Sequence, residues 1–256
     1  MALVASPRSL LVHDIEKDTV HISDDFKTSI QSLIDTLEIR SKQIYSIQSL
    51  SSKFHFHKRR LYDVLNVYES IGICKKLSVD SLLWLGFSNI HPTINSIAIH
   101  NHVFDNDFNM DDLALSDTCI TIAMLTQRFL LLFTALNSHS LDIKQCAKYL
   151  SKKNDKYKTT LCKLYQITYI LESSNIITKS QKPGEVVLSK QYFVEEATEE
   201  SSPIDIFSVQ SLLNNHEAPK TLYSDRRKHF EEETMSERQK YFSFLNNASF
   251  LQQLYA

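Results

Sequence analysis

The sequence predicts an α+β chain, mainly helical, in which one plan of three helices and a two-stranded hairpin is used twice. Three observations carry this. Residues 58–76, KRRLYDVLNVYESIGICKK, set apolar residues at helical spacing behind a basic start and stop them at a glycine. The apolar run LLWLGF at 82–87 then supplies the second strand of a hairpin. A weaker copy of the whole stretch recurs at an offset of 103 positions, and internal similarity of this kind decides architecture before any single element does.

In the first copy, Ser23 and Asp24 offer an N-cap, and Phe26, Ile30, Leu33, Ile34 and Leu37 follow at helical spacing. Ile44, Ile47, Leu50 and Phe54 predict a shorter second helix. The third starts at Lys58 and ends before Gly72, where a left-handed residue stops it. Strands are expected over 73–77 and 82–87, about a turn near Asp80. In the second copy, Ile122, Leu125, Phe129, Leu132, Phe133 and Leu136 predict the first helix, and Ile143, Cys146, Ala147 and Leu150 the next. The third copies its counterpart: Leu61 matches Leu164, Tyr62 matches Tyr165, Val64 matches Ile167, Glu69 matches Glu172 and Lys76 matches Lys179. Asn175 replaces Gly72, and it too tolerates a left-handed backbone. Strands are expected over 176–180 and 186–188, the latter matching 83–85, around the Pro183-Gly184 turn. These apolar stripes read as core. Three helices closed by a two-stranded wing make a winged helix, a helix-turn-helix variant whose last helix is placed for the major groove.

The predicted division is an N-terminal segment (1–22), a winged-helix DNA-binding domain (23–88), an acidic linker (89–117), a divergent second winged helix (118–192) and an acidic tail (193–256). The linker carries Asp105, Asp107, Asp111, Asp112 and Asp117. The end of the tail sets Tyr241, Phe244, Leu245, Leu251 and Leu254 at the spacing of an amphipathic helix.

At 43% apolar residues there is material for a sizeable core. The net charge of -2 hides an uneven distribution. Residues 53–76 hold six Lys/Arg and two acids, 144–163 hold seven Lys and one acid, and 195–217 hold six acids and no base. Basic segments beside an acidic one point to nucleic-acid contact. No signal-peptide layout and no apolar run of roughly 20 residues is present, so no membrane is expected. Cys74, Cys119, Cys146 and Cys162 lack CxxC or zinc spacing, which fits a reducing compartment and no metal. With three glycines, no phosphate-cradling loop, no HExxH and no GxSxG, neither enzyme chemistry nor a cofactor or small-molecule substrate is expected.

A helix entering DNA needs positive charge at its leading end and planar donors for the bases. Arg59 and Arg60 stand at that end, and an arginine fork matches guanine O6 and N7. Asp63, one turn on, can hold a guanidinium, and the Tyr62 hydroxyl can reach a phosphate. Lys53, Lys58, Lys75 and Lys76, with His55 and His57, are expected to meet the DNA backbone, which positions without specifying.

The combination Arg59-Arg60-Leu61-Tyr62-Asp63, Asn66-Val67-Tyr68-Glu69-Ser70-Ile71 and Trp84-Leu85-Gly86 resembles the E2-factor/DP family of cell-cycle transcription factors, on the E2-factor side by Glu69 and the Trp84 wing. The resemblance implies a nuclear regulator of RNA polymerase II transcription that binds GC-rich promoter elements related to TTTSSCGC, with both arginines on guanines. The second copy departs from the motif: Cys162, Lys163, Leu164, Tyr165 and Gln166 stand in place of Arg59 to Asp63. Lysine lacks the bidentate fork. Lys152, Lys153, Lys156, Lys158 and Lys163 keep that edge basic, so Lys156, Lys158, Lys163 and Tyr165 are expected to make weaker DNA contacts. Typical family members pair with a DP partner through a coiled coil after the domain. No heptad pattern follows the first copy here, and the tandem arrangement resembles the atypical branch in which one chain supplies both halves. DNA binding without an obligate DP partner is therefore expected. The alternatives are an external DP-like partner or a tandem winged-helix protein–protein scaffold. The tail, with Ile204, Ile206, Phe207, Leu212 and Leu213 among its acids, suits either docking of transcriptional co-regulators or a solvated segment.

Overall fold

The computed structural model describes residues 26–40, 42–116, 119–194 and 218–235, with the backbone alone for 218–221. Helix α1 (Phe26–Glu38) buries Ile30, Leu33 and Leu37, as their spacing requires; its expected caps, Ser23 and Asp24, lie outside the described residues. Strand β1 (Ile44–Ser46), α2 (Ile47–Lys53), α3 (Lys58–Ser70), β2 (Cys74–Lys76) and β3 (Ser81–Trp84) complete a first unit of three helices and an antiparallel sheet in the order β1-β3-β2. This is a winged helix with a third strand. Ile44, expected in the second helix, begins that strand instead. Residues 44–46 pair with 81–83 and satisfy the open side of β3, which an extra helical turn would leave unpaired. The helix starts only after Ser46, whose hydroxyl accepts the Ser49 N–H, while Asp80 of the wing turn accepts the Gln48 N–H at 2.7 Å.

The stretch expected as an acidic linker, 89–117, is largely folded over its described residues 89–116. A 3-10 turn (Phe87–Asn89) leads into α4 (Ile90–His100), which buries Ile90, Ile94 and Ala98. A further 3-10 turn (Met110–Leu113) follows, and Val103, Leu113 and Leu115 are buried too. Asp105, Asp107 and Asp112 face solvent while the apolar residues between them turn inward. Pro92 falls in the first turn of α4, where its missing N–H costs no helical bond. Gly72, at φ 80°, ends α3 against this helix. A Cβ there would lie 2.1 Å from Thr93 Oγ1, so both the backbone angle and the close approach demand glycine.

The same order of elements then recurs: α5 (Ile122–Ala135), β4 (Ser140–Asp142), α6 (Ile143–Leu150), α7 (Tyr157–Ser173), β5 (Ile177–Lys179) and β6 (Glu185–Leu188), with the sheet in the order β4-β6-β5. Asn175, at φ 57°, takes the left-handed place of Gly72. One detail of the expected alignment is corrected. Cys74 pairs with Trp84 but Ile177 pairs with Leu188, so the second hairpin is one residue longer and Leu188, not Val187, replaces Trp84. The burial of Leu188 and the half-burial of Val187 follow, since a one-residue slip would turn every side chain to the other face.

A last helix, α8 (Ala218–Thr234), was not foreseen. It lies on α6, with the Phe230 ring 5.1 Å from that of Tyr149. The buried Arg226 donates to the carbonyls of Val103 (2.8 Å) and Asp105 (2.7 Å), and Arg227 Nε donates to that of Leu136 (2.7 Å). The last carbonyls of α5 have no intrahelical donor, and these cations supply one. Asp111 gathers Lys152, His229 (3.1 Å) and the Tyr149 hydroxyl (3.3 Å). The Lys152 bond holds the Asp111 carboxyl down at about 2, against the smaller opposing effect of its partial burial. The tail at 195–217 and the amphipathic stretch at 241–254 lie outside the described residues.

One continuous core runs through both units. α3 packs on α5, and α1 on α7. The Phe26 and Tyr169 rings stack at 5.9 Å, and Gln127 Nε2 donates to the Ser70 carbonyl at 3.1 Å. Tyr68 and Ser174 hydroxyls meet at 2.6 Å in full burial; Ser174 donates onward to the Ile170 carbonyl, so Tyr68 donates to Ser174.

Candidate nucleic-acid interface

The first turn of α3 carries Lys58, Arg59 and Arg60, all exposed, with no acid among them. His57, in extended conformation, is the cap residue and lends no side-chain bond. Cations at a helix N-terminus oppose its dipole, at a cost of about 0.3–1 kcal/mol each. An anion facing the turn reverses that sign, because the free N–H groups and the side chains then act together. Behind the turn, Leu61, Val64, Leu65 and Tyr68 fix the opposite face in the core, so the charges point outward from a rigid support. Among the described residues, neither arginine has a carboxylate within 4.0 Å.

Other residues singled out in the sequence occupy different settings. Lys75 is exposed on the edge strand β2. Lys53 is half-buried, its ammonium 5.5 Å over the Phe54 ring. Lys76, expected on the DNA backbone, is instead bound by Glu69 at 2.9 Å and Asn66 at 2.6 Å, and its backbone N–H donates to Glu69 at 2.8 Å. It fastens the hairpin to α3, and Lys179 meets Glu172 in the same way at 2.9 Å. The Tyr62 hydroxyl, expected on a phosphate, donates to the Val79 carbonyl at 2.8 Å and ties the wing turn down. A phosphate oxygen has no proton to return, so this bond must open before Tyr62 can donate to one. Asp63, expected to hold a guanidinium, accepts from Gln166 Nε2 at 2.6 Å.

The basic edge of the second unit is thinner than its composition implies. Lys152 and Lys153 turn to Asp111, the latter to its carbonyl at 2.6 Å, and Lys163 donates to the Ile120 carbonyl. Lys158 stays exposed, Lys156 is half-buried ahead of α7, and Tyr165 is 43% exposed. Cys162, at the place of Arg59, is exposed. Burial raises the thiols of Cys74 and Cys146 far above their usual range. Among the described residues no cluster of His, Cys, Asp and Glu suits a metal ion.

The two units meet at the predicted site. Arg59, Arg60 and Asp63 of α3, Lys163 and Gln166 of α7, and Ile122 line one polar cleft of about 440 Å³. Gln166 is the functional neighbour that sequence reasoning missed as a contact, although the 103-residue offset already made it the twin of Asp63. Glu38 was missed altogether. It accepts from Trp84 Nε1 and from the Phe87 N–H, both at 2.9 Å, and so locks the wing to α1.

Residues 23–86 match the E2-factor/DP family winged-helix DNA-binding domain. The chain is similar to transcription factor E2F7 of Danio rerio, at 22% identity over 157 residues, covering 52% of this chain and 22% of that protein. It is similar to transcription factor E2F7 of Xenopus tropicalis at 20% identity over 186 residues, covering 54% and 21%. The chain spans about a fifth of the length of these curated relatives. Three helices, a wing buttressed by Trp84 and a basic leading turn on α3 agree with the matched domain: residues 23–86 are a winged-helix DNA-binding domain of the E2-factor/DP family.

Proposed function

We propose that this chain is a nuclear transcription regulator that binds GC-rich double-stranded DNA with both of its units at once. Arg59 and Arg60 read guanines, and the second unit serves as an in-chain winged helix in the role of a DP half. The observation that carries this is the cleft in which the start of α3 meets Lys163 and Gln166 of α7, with three cations and, among the described residues, no ion pair to either arginine. The repeated sheet order supports reading the second unit as a winged helix, and the likeness to E2F7 covers about half of the chain, beyond the matched domain. Lys58 and Lys75 contact phosphates of the first half-site; Lys158, with Lys156 and Tyr165, adds weaker backbone contacts on the second. No outside DP partner is required in this reading; the packing of α5 on α3 and of α7 on α1 supports it.

The test is unbiased selection of duplexes by the purified chain, alone and with Arg59 and Arg60 changed to Ala. A GC-rich core is expected from the native chain and is expected to vanish in the double variant. A selected core that survives both changes, or no binding without added DP at moderate salt, overturns the assignment.

A further inference from the structure

We infer that Gln166 is a positioning residue, whose bond to Asp63 sets the spacing between the two helices presented to DNA. The inference rests on the DNA-binding reading above and deepens it. Asp63 and Gln166 occupy equivalent places in the two units, so their bond joins α3 to α7 at corresponding positions of the repeat. At 2.6 Å, from an amide N–H to a carboxylate, it is a short, charge-assisted contact. Had position 166 kept the residue type of position 63, two carboxylates would face each other here. Each would repel the other and draw Arg59 and Arg60, which line the same cleft, away from a phosphate or base. Glutamine removes that conflict: it gives Asp63 a neutral donor and leaves the guanidiniums uncommitted.

The change from Asp to Gln in the second copy is therefore not simply decay of a reading residue. It converts a position on one recognition helix into a fastener for the other. Nearby contacts between the units, Tyr68 with Ser174 and Phe26 with Tyr169, lie farther along these helices or on α1. Asp63 with Gln166 is the bond placed at the cleft itself, and it governs how far apart α3 and α7 stand there.

An exchange of partners tests this. Gln166→Glu keeps the shape but opposes two carboxylates; Asp63→Asn with Gln166→Glu reverses donor and acceptor. Each protein is measured in two ways: thermal unfolding without DNA, and affinity for duplexes in which the separation of the half-sites is varied by single base pairs. Gln166→Glu is expected to lower the melting temperature by about 3–6 °C and to weaken binding at the preferred spacing by about tenfold. Preference among spacings is expected to flatten, and the double variant to recover both properties. No coupling between the two positions in the DNA-free melts overturns the bond itself. Coupling in the melts with an unchanged spacing preference reduces Gln166 to packing and overturns its positioning role. If the native chain binds no duplex, the DNA reading and the positioning role fall together, and the melts still show whether the bond couples the units.

Discussion

Lys163 of α7 holds the place that Arg60 holds on α3, yet the two helices treat their charges in opposite ways. Lys58, Arg59 and Arg60 of α3 stand exposed with no acidic partner among the described residues, while their neighbours Tyr62, Asp63 and Lys76 are bound to Val79, Gln166 and Glu69. On α7, Lys163 is turned to a backbone carbonyl, and Lys152 and Lys153 just before the helix are turned to Asp111. One unit holds its cations ready for an outside anion; the other uses most of its own to hold the chain together. Charge counted along a sequence says how many cations a segment has. The partners decide how many are left to act.

The largest test of this contrast is on binding. Changing Arg59 and Arg60 to Ala should reduce affinity for the selected duplex at least about thirtyfold, since each bidentate pair supplies about 1–3 kcal/mol. The melting temperature should hold, because both side chains are exposed. Lys163→Ala should cost far less affinity, and an equal loss in the two variants would erase the asymmetry.

The helix stops provide a second comparison. Gly72→Ala meets both a left-handed angle and Thr93, and should destabilise by about 2–4 kcal/mol in denaturant unfolding. Asn175→Ala should cost about 1 kcal/mol, the penalty of the angle alone. The paired tyrosines come next. Tyr62→Phe loses the bond to Val79 and should cost about 1 kcal/mol, with weaker protection of the wing amides against hydrogen exchange. Tyr165→Phe should leave stability within experimental error, its side chain being 43% exposed.

The smallest effect concerns the brace that only the second unit has. The Asp111 carboxyl is lowered to about 2 in the folded chain, chiefly by Lys152. A lowered carboxyl adds stability above its unfolded value of about 4 and loses it as pH falls through the folded value. Native protein should therefore lose stability between about pH 4 and pH 2 more steeply than Asp111→Asn. Parallel acid-unfolding curves would mean that the Asp111 cluster adds nothing to the hold on α8, leaving it to packing and to the bonds of Arg226 and Arg227.

Much of this architecture was legible in advance, for physical reasons. Helices α1, α3 and α6 declare themselves by spacing, because each has one face in the core; α5, buried all round from Phe129 to Ala135, declares itself by the length of its apolar run. The 103-residue repeat revealed the second unit. Strands β1 and β4 stayed hidden because three residues are too few for a period, and Ile44 fits a helical stripe equally well. α4 was obscured by its β-branched residues and the acids that follow it. α8 has a mostly polar surface, and Phe230 and the buried Arg226 gain their meaning from partners far away in the chain. The cleft divides along the same line. Arg59 and Arg60 could be read from a motif, whereas the attachments of Asp63, Tyr62, Lys76 and Lys163 depend on where distant residues come to rest.

The joint between the units has a consequence for dilution. The stacking of Phe26 on Tyr169 and the bonds of Tyr68 and Asp63 across the boundary are all made within one polypeptide. Two separate chains meeting through such surfaces would part once their concentration fell below a dissociation constant. A tether through the folded segment of α4 keeps the local concentration of one unit around the other at roughly millimolar or above, whatever the bulk value. On the reading proposed above, occupancy of a DNA site should then rise with the first power of protein concentration.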